Sequence, residues 1–446
     1  MSVDHLTIAA LAGRLRSGEV TAEAVTEGCL EAIARRNPAT NAFITVTGDL
    51  ALAQARQADR ERSAGLDRGP LHGVPLSLKD LLDVAGVATT AASRVRSRHV
   101  ATTDAPVVSR LRAAGAVLVG KCNLHEFAFG TTSDETAYGP VRHPLDLTRS
   151  PGGSSGGSAV SILESMAYAS IGTDTGGSIR IPAAACGLVG LKPGLHEVST
   201  AGVVPLSRTM DHVGPLCRSV EDAEILYHAL TGAEPTAPRP AHARPRLGVL
   251  RGYFEALLDP EVARVYGEAC ARLQAAGVVC DEVTIPSAAD IAPVYLHIVL
   301  SEAAAYHAHT LDTCPDDYSD GIRARLEMGR YVLAEDYARA LQGREVLRHE
   351  VNRAMAGRDA LMLPTLAIPA PPIGAATVRL NGVDEPIRNV MLRLTQLFNL
   401  TGHPTVTLPC GTSSDGLPVG LQLAGQTAGT PALLHLARMI EARLAR

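Results

Sequence analysis

The chain has 446 residues, of which 46% are hydrophobic, a net charge of −5 and a sequence pI near 6.3. This length allows a large apolar core and suggests two or three domains, although an α/β enzyme can hold it in one. The weakly acidic balance gives no electrostatic support for binding nucleic acid or an anionic membrane. No apolar run approaches the ~18 residues of a bilayer span, and the first residues suggest an amphipathic helix rather than a secretory signal.

Cysteine usage points to a reducing compartment. The eight cysteines are scattered along the chain and form no CxxC pair. This pattern predicts reduced, mostly buried thiols in a cytoplasmic protein.

The N-terminal part, residues 1–70, is predicted to be helical. Apolar residues recur with helical spacing over 6–15, 21–34 and 50–63. Thr21 is placed to accept a hydrogen bond at the start of the second helix, and Asn37-Pro38 is predicted to end it.

Short apolar segments then alternate with helical ones. The runs at 73–79 and 116–120 read as buried strands and have a helical segment between them. This alternation predicts a layered α/β fold with a largely buried sheet. The motif-bearing part spans 71–231, and the proline-rich stretch 232–246 is predicted to be a surface linker.

The remaining part, 247–446, is more helical and is expected to shape the substrate pocket. Helices are predicted over 260–276, 289–312 and 334–356. Strand-like segments follow, at 360–365, 404–410 and 418–425. Their return suggests that the C-terminal part rejoins the sheet, within a single domain covering 1–446.

Two glycine-bracketed serine clusters, at 152–157 and 176–178, carry most of the functional information. Glycine allows backbone conformations with positive φ and a close approach to a ligand. A serine hydroxyl becomes a nucleophile when a base removes its proton and an oxyanion site stabilises the product. No histidine lies between the clusters; the nearest are His143 and His196.

Lysine is rare in this chain. Only Lys79, Lys121 and Lys192 occur among 41 basic residues. A buried lysine can lose its proton near neutral pH and act as a base, whereas arginine cannot. Lys121 and Lys192 fit structural roles, and for Lys79 a structural role and a catalytic one are both open from this argument alone.

The serine clusters suggest a proton path to Lys79. The backbone amides of Thr175, Gly176 and Gly177 precede Ser178, where a glycine-rich turn could aim them at a developing oxyanion. Ser154 could then pass a proton from Ser178 to a neutral Lys79.

Several long motifs, in order, make the chain resemble the amidase signature family. The matching segments are 73–80, 123–127, 152–158, 172–180, 186–193, 211–215 and 416–422. The resemblance covers nearly the whole chain and implies a three-layer α/β/α fold, in which helices flank a mixed and mostly buried central sheet.

The resemblance also implies a Ser–cisSer–Lys triad. Ser178 becomes the nucleophile, Ser154 the bridging serine after a cis Gly153–Ser154 peptide, and Lys79 the base. The backbone amides of Thr175, Gly176, Gly177 and Ser178 are expected to form the oxyanion hole. The implied reaction is acyl transfer without a metal or organic cofactor.

Further residues are expected around this triad. Ser155 and Asp174 are predicted to hydrogen-bond behind the catalytic groups, and Arg180 to form a structural ion pair with Asp174 or to bind a backbone carbonyl.

Four residues are candidates for substrate contact. Phe129, Gly130 and Thr131 match the segment that lines the site in the family. Arg208 is a weaker candidate, for which a solvated surface position is equally consistent.

Alternative interpretations remain open. Ser155 also fits the GxSxG elbow of α/β-hydrolases, but residues 147–151 make a poor preceding strand. His307 and His309 could suggest a metal pair, yet helical i,i+2 residues point to different faces. Tyrosines of the helical part are expected mainly to pack, with one or two lining a pocket.

The expected substrate is a small amide, with carbamates and esters also possible, for a monomer or homodimer that binds neither nucleic acid nor membrane. One alternative function is the glutaminase subunit of a tRNA-dependent amidotransferase, which would need a partner subunit. A different alternative is a non-catalytic binding or scaffold subunit.

Overall fold

A computed structural model describes residues 5–233 and 244–445. Its centre is a mixed 11-stranded sheet with the strand order β1-β3-β2-β4-β6-β5-β12-β13-β9-β7-β8, and β10 and β11 form a separate hairpin. The strands are β1 (Phe43–Val46), β2 (Pro75–Lys79), β3 (Val117–Cys122), β4 (Ala169–Asp174), β5 (Val189–Lys192), β6 (His212–Cys217), β7 (Arg246–Leu250), β8 (Val279–Val283), β9 (Ala360–Pro364), β10 (Thr377–Leu380), β11 (Val383–Pro386), β12 (Thr405–Thr412) and β13 (Pro418–Ala424).

Parallel and antiparallel pairing are mixed in this sheet. β2 runs parallel to β3 and β4 on its two sides, and β7 runs parallel to β8 and β9. The strands from β4 through β6, β5, β12 and β13 to β9 pair antiparallel. The central strands β2, β3 and β4 are buried along their whole length, as expected for strands covered on both faces.

Helices surround the sheet. They are α1 (Ile8–Ser17), α2 (Ala22–Thr40), α3 (Gly48–Ser63), α4 (Pro106–Ala113), α5 (Gly156–Leu163), α6 (Arg180–Ala185), α7 (Val220–Thr231), α8 (Pro260–Ala275), α9 (Ile291–Thr313), α10 (Asp320–Gly329), α11 (Ala334–Met355), α12 (Ile387–Leu392), α13 (Gln396–Thr401) and α14 (Thr430–Leu444).

Strand β9 shows that the two main apolar clusters lie on opposite faces of the sheet. Ala360 and Met362 belong to the cluster that contains residues of α1–α4, α7, α8 and α14. Leu361 and Leu363 belong to the cluster that contains residues of α9–α13. Successive strand residues point to opposite faces, so helices cover both sides. The α/β fold with a mixed central sheet flanked by helices is therefore confirmed.

Helix α2 differs from its prediction at the C-terminal end. It begins after Thr21, whose side chain accepts from the amide of Ala24, as predicted. It does not end at Asn37-Pro38, because it continues through Pro38 to Thr40. A proline here interrupts only the final turn, and Asn41 in the left-handed region closes the helix on the carbonyl of Asn37.

The predicted helices and strands of the C-terminal part are confirmed, with α8, α9 and α11 in place and β9, β12 and β13 in the main sheet. Most of the proposed linker at 232–246 lies outside the described residues. The structure describes all eight cysteines and shows no disulfide among them, and five of them are buried.

One segment of the described chain, Ala288–Thr313, is long and apolar enough to cross a membrane by length and composition. Half of its most apolar window is buried inside the protein, and α10 and α11 both pack against α9. This is weak evidence for a membrane span, because core helices of globular proteins share these properties.

Candidate active site

Lys79 is the last residue of strand β2, and its side chain is completely buried. Its amine Nζ lies 2.8 Å from Ser154 Oγ and 2.8 Å from Thr173 Oγ1. The carbonyl oxygen of Thr173 is a longer contact at 3.5 Å. Because Thr173 belongs to β4, the parallel neighbour of β2, the sheet itself fixes one of the two hydroxyls around the amine.

Burial changes the acidity of this amine. Desolvation lowers the pKa of Lys79 from 10.5 to about 7, although the charges of Asp174 and Asp211 act in the opposite direction. No carboxylate forms an ion pair with Lys79 in the described part of the chain. A substantial fraction of the lysine is therefore neutral at pH 7, as a general base requires.

Ser154 follows a cis peptide bond with Gly153, which agrees with what the family resemblance implies. Its carbonyl oxygen accepts from Ser133 Oγ and from the amide of His125, both at 3.1 Å. Ser133 Oγ also accepts from the amide of Gly156 at 3.1 Å. The segment around Ser133 thus holds the first serine cluster by hydrogen bonds on both sides of Ser154.

Ser178 lies beside this cluster, although the whole of α5 and β4 separates it from Ser154 in the sequence. The amide of Ser155 donates to the carbonyl oxygen of Ser178 at 3.2 Å. Ser178 is 5% exposed, so it is buried except for a small part of its surface. Two consecutive residues of the first cluster therefore contact Lys79 on one side and Ser178 on the other.

The turn from Thr175 to Ser178 connects β4 to α6. Its four backbone amides donate no hydrogen bond to any other residue that the structure describes. The carbonyl of Gly176 points the other way and accepts from Thr395 Oγ1 at 2.5 Å. Gly177 has φ +139°, and a Cβ there would collide with Thr395. Glycine thus allows the close packing of a turn whose donors remain available.

Behind this turn, Asp174 and Arg180 form a completely buried ion pair. Arg180 Nε and Nη2 donate to the two carboxylate oxygens at 3.0 Å, and the amide of Ile179 donates to Oδ2 at 3.1 Å. Burial alone would raise the pKa of Asp174, but Arg180 and the hydrogen bonds around the carboxylate hold it well below its usual range. The pair fixes the start of α6 immediately after Ser178.

The remaining donors of Arg180 bind the C-terminal part of the chain. They reach the Thr395 carbonyl, Gln422 Oε1 and Asn399 Oδ1. The guanidinium therefore joins the Thr175–Ser178 turn, which we call the serine turn, to α13 and β13.

With this geometry established, comparison with known proteins assigns the family. A sequence profile described as Amidase matches residues 24–434. The chain belongs to the amidase signature family.

Individual relatives agree with this assignment. Over 432 aligned residues the chain is 39% identical to an amidase of Pseudomonas putida, covering 93% of this chain and 91% of that protein. It is 37% identical, over 470 aligned residues, to the A subunit of the glutamyl-tRNA(Gln) amidotransferase of Roseiflexus sp. (strain RS-1), covering 97% and 95%. A crystal structure of an amidase matches with a TM-score of 0.94 and 38% identity, covering 98% of this chain and 100% of that one.

Two polar residues of this amidase signature site had no role assigned from the sequence. Thr173 binds Lys79, and Asp211 accepts from Thr175 Oγ1 at 2.6 Å and from the amides of Leu206 and Ser207. Burial raises the pKa of Asp211 to about 6, against the effect of these hydrogen bonds. Thr173 and Asp211 both lie within matched motifs, but only the folded structure shows which side chains they meet.

The predicted substrate-contact residues separate into two groups. Phe129 and Thr131 are buried, and a Cβ on Gly130 would collide with the ring of His125.

Ser155 was predicted to support the site by hydrogen bonding, and its hydroxyl donates to the Thr173 carbonyl at 3.3 Å.

Arg208, in contrast, is exposed. It lines a cavity of about 170 Å³ whose wall also includes Thr173 and Thr175. This candidate therefore lies beside the end of β4 that leads into the serine turn.

The geometry does not support the α/β-hydrolase elbow or the metal-binding histidine pair. In the described chain no strand leads directly into Ser155, which an α/β-hydrolase elbow requires. Within 5–233 and 244–445, no group of three or more metal-binding side chains is close enough to hold a metal ion. His307 is buried and bonds Tyr318 through Nδ1, so it packs within the α9–α10 region.

Proposed function

We propose that this member of the amidase signature family hydrolyses linear carboxylic amides through an acyl-enzyme on Ser178. The contact between Lys79 and Ser154 carries the proposal, because it places a fully buried amine, whose pKa burial lowers to about 7, 2.8 Å from a hydroxyl. The hydroxyl is that of Ser154, and the amide of the next residue, Ser155, donates to the Ser178 carbonyl. The other two lysines have different partners: Lys121 pairs with Asp80, and Lys192 donates to two backbone carbonyls.

The first half of the reaction forms an ester. Neutral Lys79 accepts the Ser154 proton while Ser154 accepts that of Ser178, and Ser178 Oγ attacks the amide carbonyl. Negative charge develops on the carbonyl oxygen, where the free amides of the Thr175–Ser178 turn can stabilise it. Collapse of this intermediate breaks the C–N bond, and the proton returns through Ser154 to the leaving amine.

The second half restores the enzyme. A water molecule loses a proton to the same relay and attacks the ester carbonyl, which releases the carboxylic acid and the Ser178 hydroxyl. Esters can follow the same steps with an alcohol as the leaving group, and carbamates can do so through an alkoxycarbonyl- or carbamoyl-enzyme on Ser178. Small aliphatic or aryl amides are the expected substrates.

The similarity to the A subunits of amidotransferases supports a second candidate. In that case the chain would release ammonia from glutamine and depend on a partner protein for delivering it. The two functions differ in a simple observation, since an amidase turns over aryl amides as an isolated chain without preferring glutamine.

A substrate panel of amides, anilides, carbamates, esters and glutamine tests the proposal with the parent chain and Ser178→Ala. We expect turnover of simple amides by the parent alone and none by Ser178→Ala. A fluorophosphonate probe should label the parent and not the variant. Failure of the parent to react with probe or substrates would favour a binding or scaffold role, and glutamine-selective turnover would favour the glutaminase.

A further inference from the structure

Arg388, in helix α12, is an arginine without an anionic partner. Among the described residues no carboxylate forms an ion pair with its guanidinium, and its Nε is buried without a hydrogen-bond acceptor. Burial lowers the pKa of this guanidinium from its usual value. Arg388 as a whole is half-buried, and an unpaired cation held partly out of water is stabilised when an anion binds to it.

Its charged neighbours in the described chain form no ion pair with it, although Glu385 lines the same cavity as Arg388. The guanidinium carbon of Arg388 lies 5.7 Å from the ring centroid of Phe129, and that of Arg325 lies 5.6 Å from the same centroid. Arg325 is neutralised by Glu135, through a 2.6 Å bond from Nη2 to Oε2. The positive charge of Arg388 is therefore the one left uncompensated above Phe129, a residue expected to contact substrate.

Arg388 also lines a cavity of about 410 Å³ between α9 and α12. Tyr295 forms part of the wall of this cavity and is close enough to Gly176 that a Cβ on the glycine would collide with its hydroxyl. Tyr295 thus lies between the unpaired guanidinium and the Thr175–Ser178 turn, whose free amides are proposed to stabilise the oxyanion. Burial raises the pKa of Tyr295, so this neighbour is a neutral phenol and does not balance the charge.

We propose that Arg388 binds a carboxylate carried by the substrate, so that the preferred amides have a second, anionic end. This inference rests on the proposed amidase function and specifies its substrate class. A planar guanidinium matches a carboxylate with two parallel hydrogen bonds, and the Phe129 ring beneath it favours the flat ion pair. The rings of Tyr253 and Tyr295 in its wall and the limited size of the cavity suit a small organic acid better than a macromolecular anion.

The test compares amides that differ only in charge. Glutaramate, with a carboxylate on the acyl part, is matched with its neutral methyl ester, and N-acetylglycine with N-acetylglycine methyl ester tests a carboxylate on the amine part. We expect the parent to prefer one of the two acids over its ester, measured as kcat/KM for cleavage of the amide bond. In Arg388→Met this ratio should fall by about 30- to 1000-fold, mainly through KM.

Arg393→Met provides the matched control. Arg393 lines the same cavity and its Nε also has no acceptor among the described residues, but its guanidinium stacks on Tyr253 at 3.7 Å and Nη2 donates to the Tyr253 carbonyl at 2.8 Å. The acid-to-ester ratio of this variant should remain within about 3-fold of the parent, because its guanidinium is committed elsewhere. Arg388→Lys should restore part of the ratio lost in Arg388→Met, since it keeps the charge without the planar fork.

Binding measured without turnover separates this inference from the proposed function. Glutaramate and N-acetylglycine are titrated calorimetrically into Ser178→Ala and into Ser178→Ala/Arg388→Met. Binding of one of them that is lost with Arg388 supports the carboxylate site, whatever the activity. Ser178-dependent cleavage of neutral amides with no acid preference, and no Arg388-dependent binding, would overturn the inference and leave the amidase proposal intact.

Discussion

The side-chain hydroxyl of Thr173 lies 2.8 Å from the amine of Lys79, the same distance as the hydroxyl of Ser154. The amine thus has one partner on the proton path and a second on the neighbouring strand. Thr173 forms no hydrogen bond with Ser178 or with the free amides of the serine turn, all of which the structure describes. We infer that it is a positioning residue, which directs Lys79 towards Ser154.

Replacing Thr173 by valine, which has nearly the same shape, tests this role. Thr173→Val removes an acceptor that favours the charged amine, so the pKa of Lys79 should fall further and the acid limb of kcat/KM should move to lower pH. We expect kcat to drop about 10-fold because Lys79 loses its orientation. Thr173→Ser should recover most of the rate and the pH profile. A loss of rate with an unshifted profile would indicate packing alone.

The pH dependence of the reaction should report Lys79. Only the neutral amine can accept a proton, and burial lowers its pKa to about 7, so kcat/KM should rise with pH and level off above that value. Lys79→Arg keeps a positive charge but cannot deprotonate, and we expect at least about 1000-fold less activity at every pH. Near-parental rates in Lys79→Arg would refute the base role.

Lys79 should also make folding stability depend on pH. Its pKa is about 7 in the folded chain and 10.5 as a model value, so between these limits unfolding takes up a proton. The buried amine therefore lowers the free energy of unfolding by its full amount below pH 7, and this destabilisation vanishes above about pH 10.5. Lys79→Met should therefore raise Tm by roughly 3–5 °C at pH 6–7, with the gain shrinking as pH increases.

Lys121→Met serves as the comparison for that measurement. Lys121 is equally buried but pairs with Asp80 at 2.8 Å, so its removal leaves a buried carboxylate without its cation. We expect it to lower Tm where Lys79→Met raises it. Calorimetric scans of both variants across about pH 6–10 show directly whether each substitution raises or lowers Tm. A lower Tm for Lys79→Met at low pH would contradict the unpaired buried amine.

The Asp174–Arg180 pair should be a stability determinant rather than a participant in the chemistry. Arg180→Met leaves Asp174 buried without its cation and should cost about 3–5 kcal/mol in the free energy of unfolding, measured in urea. Arg438 pairs with Glu221 and Glu224 at the surface, and Arg438→Met should change stability little. Similar stability of both variants would show that the buried pair is replaceable.

The sequence itself determined the components of the site. Only three lysines occur, and one of them ends a strand-like motif, while glycine and serine cluster where a tight turn with free amides was expected. These are local properties, because chain conformation at glycine and the chemistry of serine and lysine depend little on distant residues. The helices of the C-terminal part could likewise be predicted from periodicity. The prediction that α2 ends at Asn37-Pro38 was wrong, because a proline in the last turn of a helix is tolerated when the surrounding packing compensates.

Tertiary structure alone decided how these components act. Thr173 meets Lys79 because β4 pairs with β2, and Arg388 has no counter-ion among the described residues because the fold places its guanidinium beside the Phe129 ring and not beside a carboxylate. Desolvation and hydrogen bonding depend on what surrounds a group in space, and residues from distant parts of the chain supply those surroundings. The acidity of Lys79 and the unpaired charge beside the pocket therefore follow from packing, which no pattern along the sequence encodes.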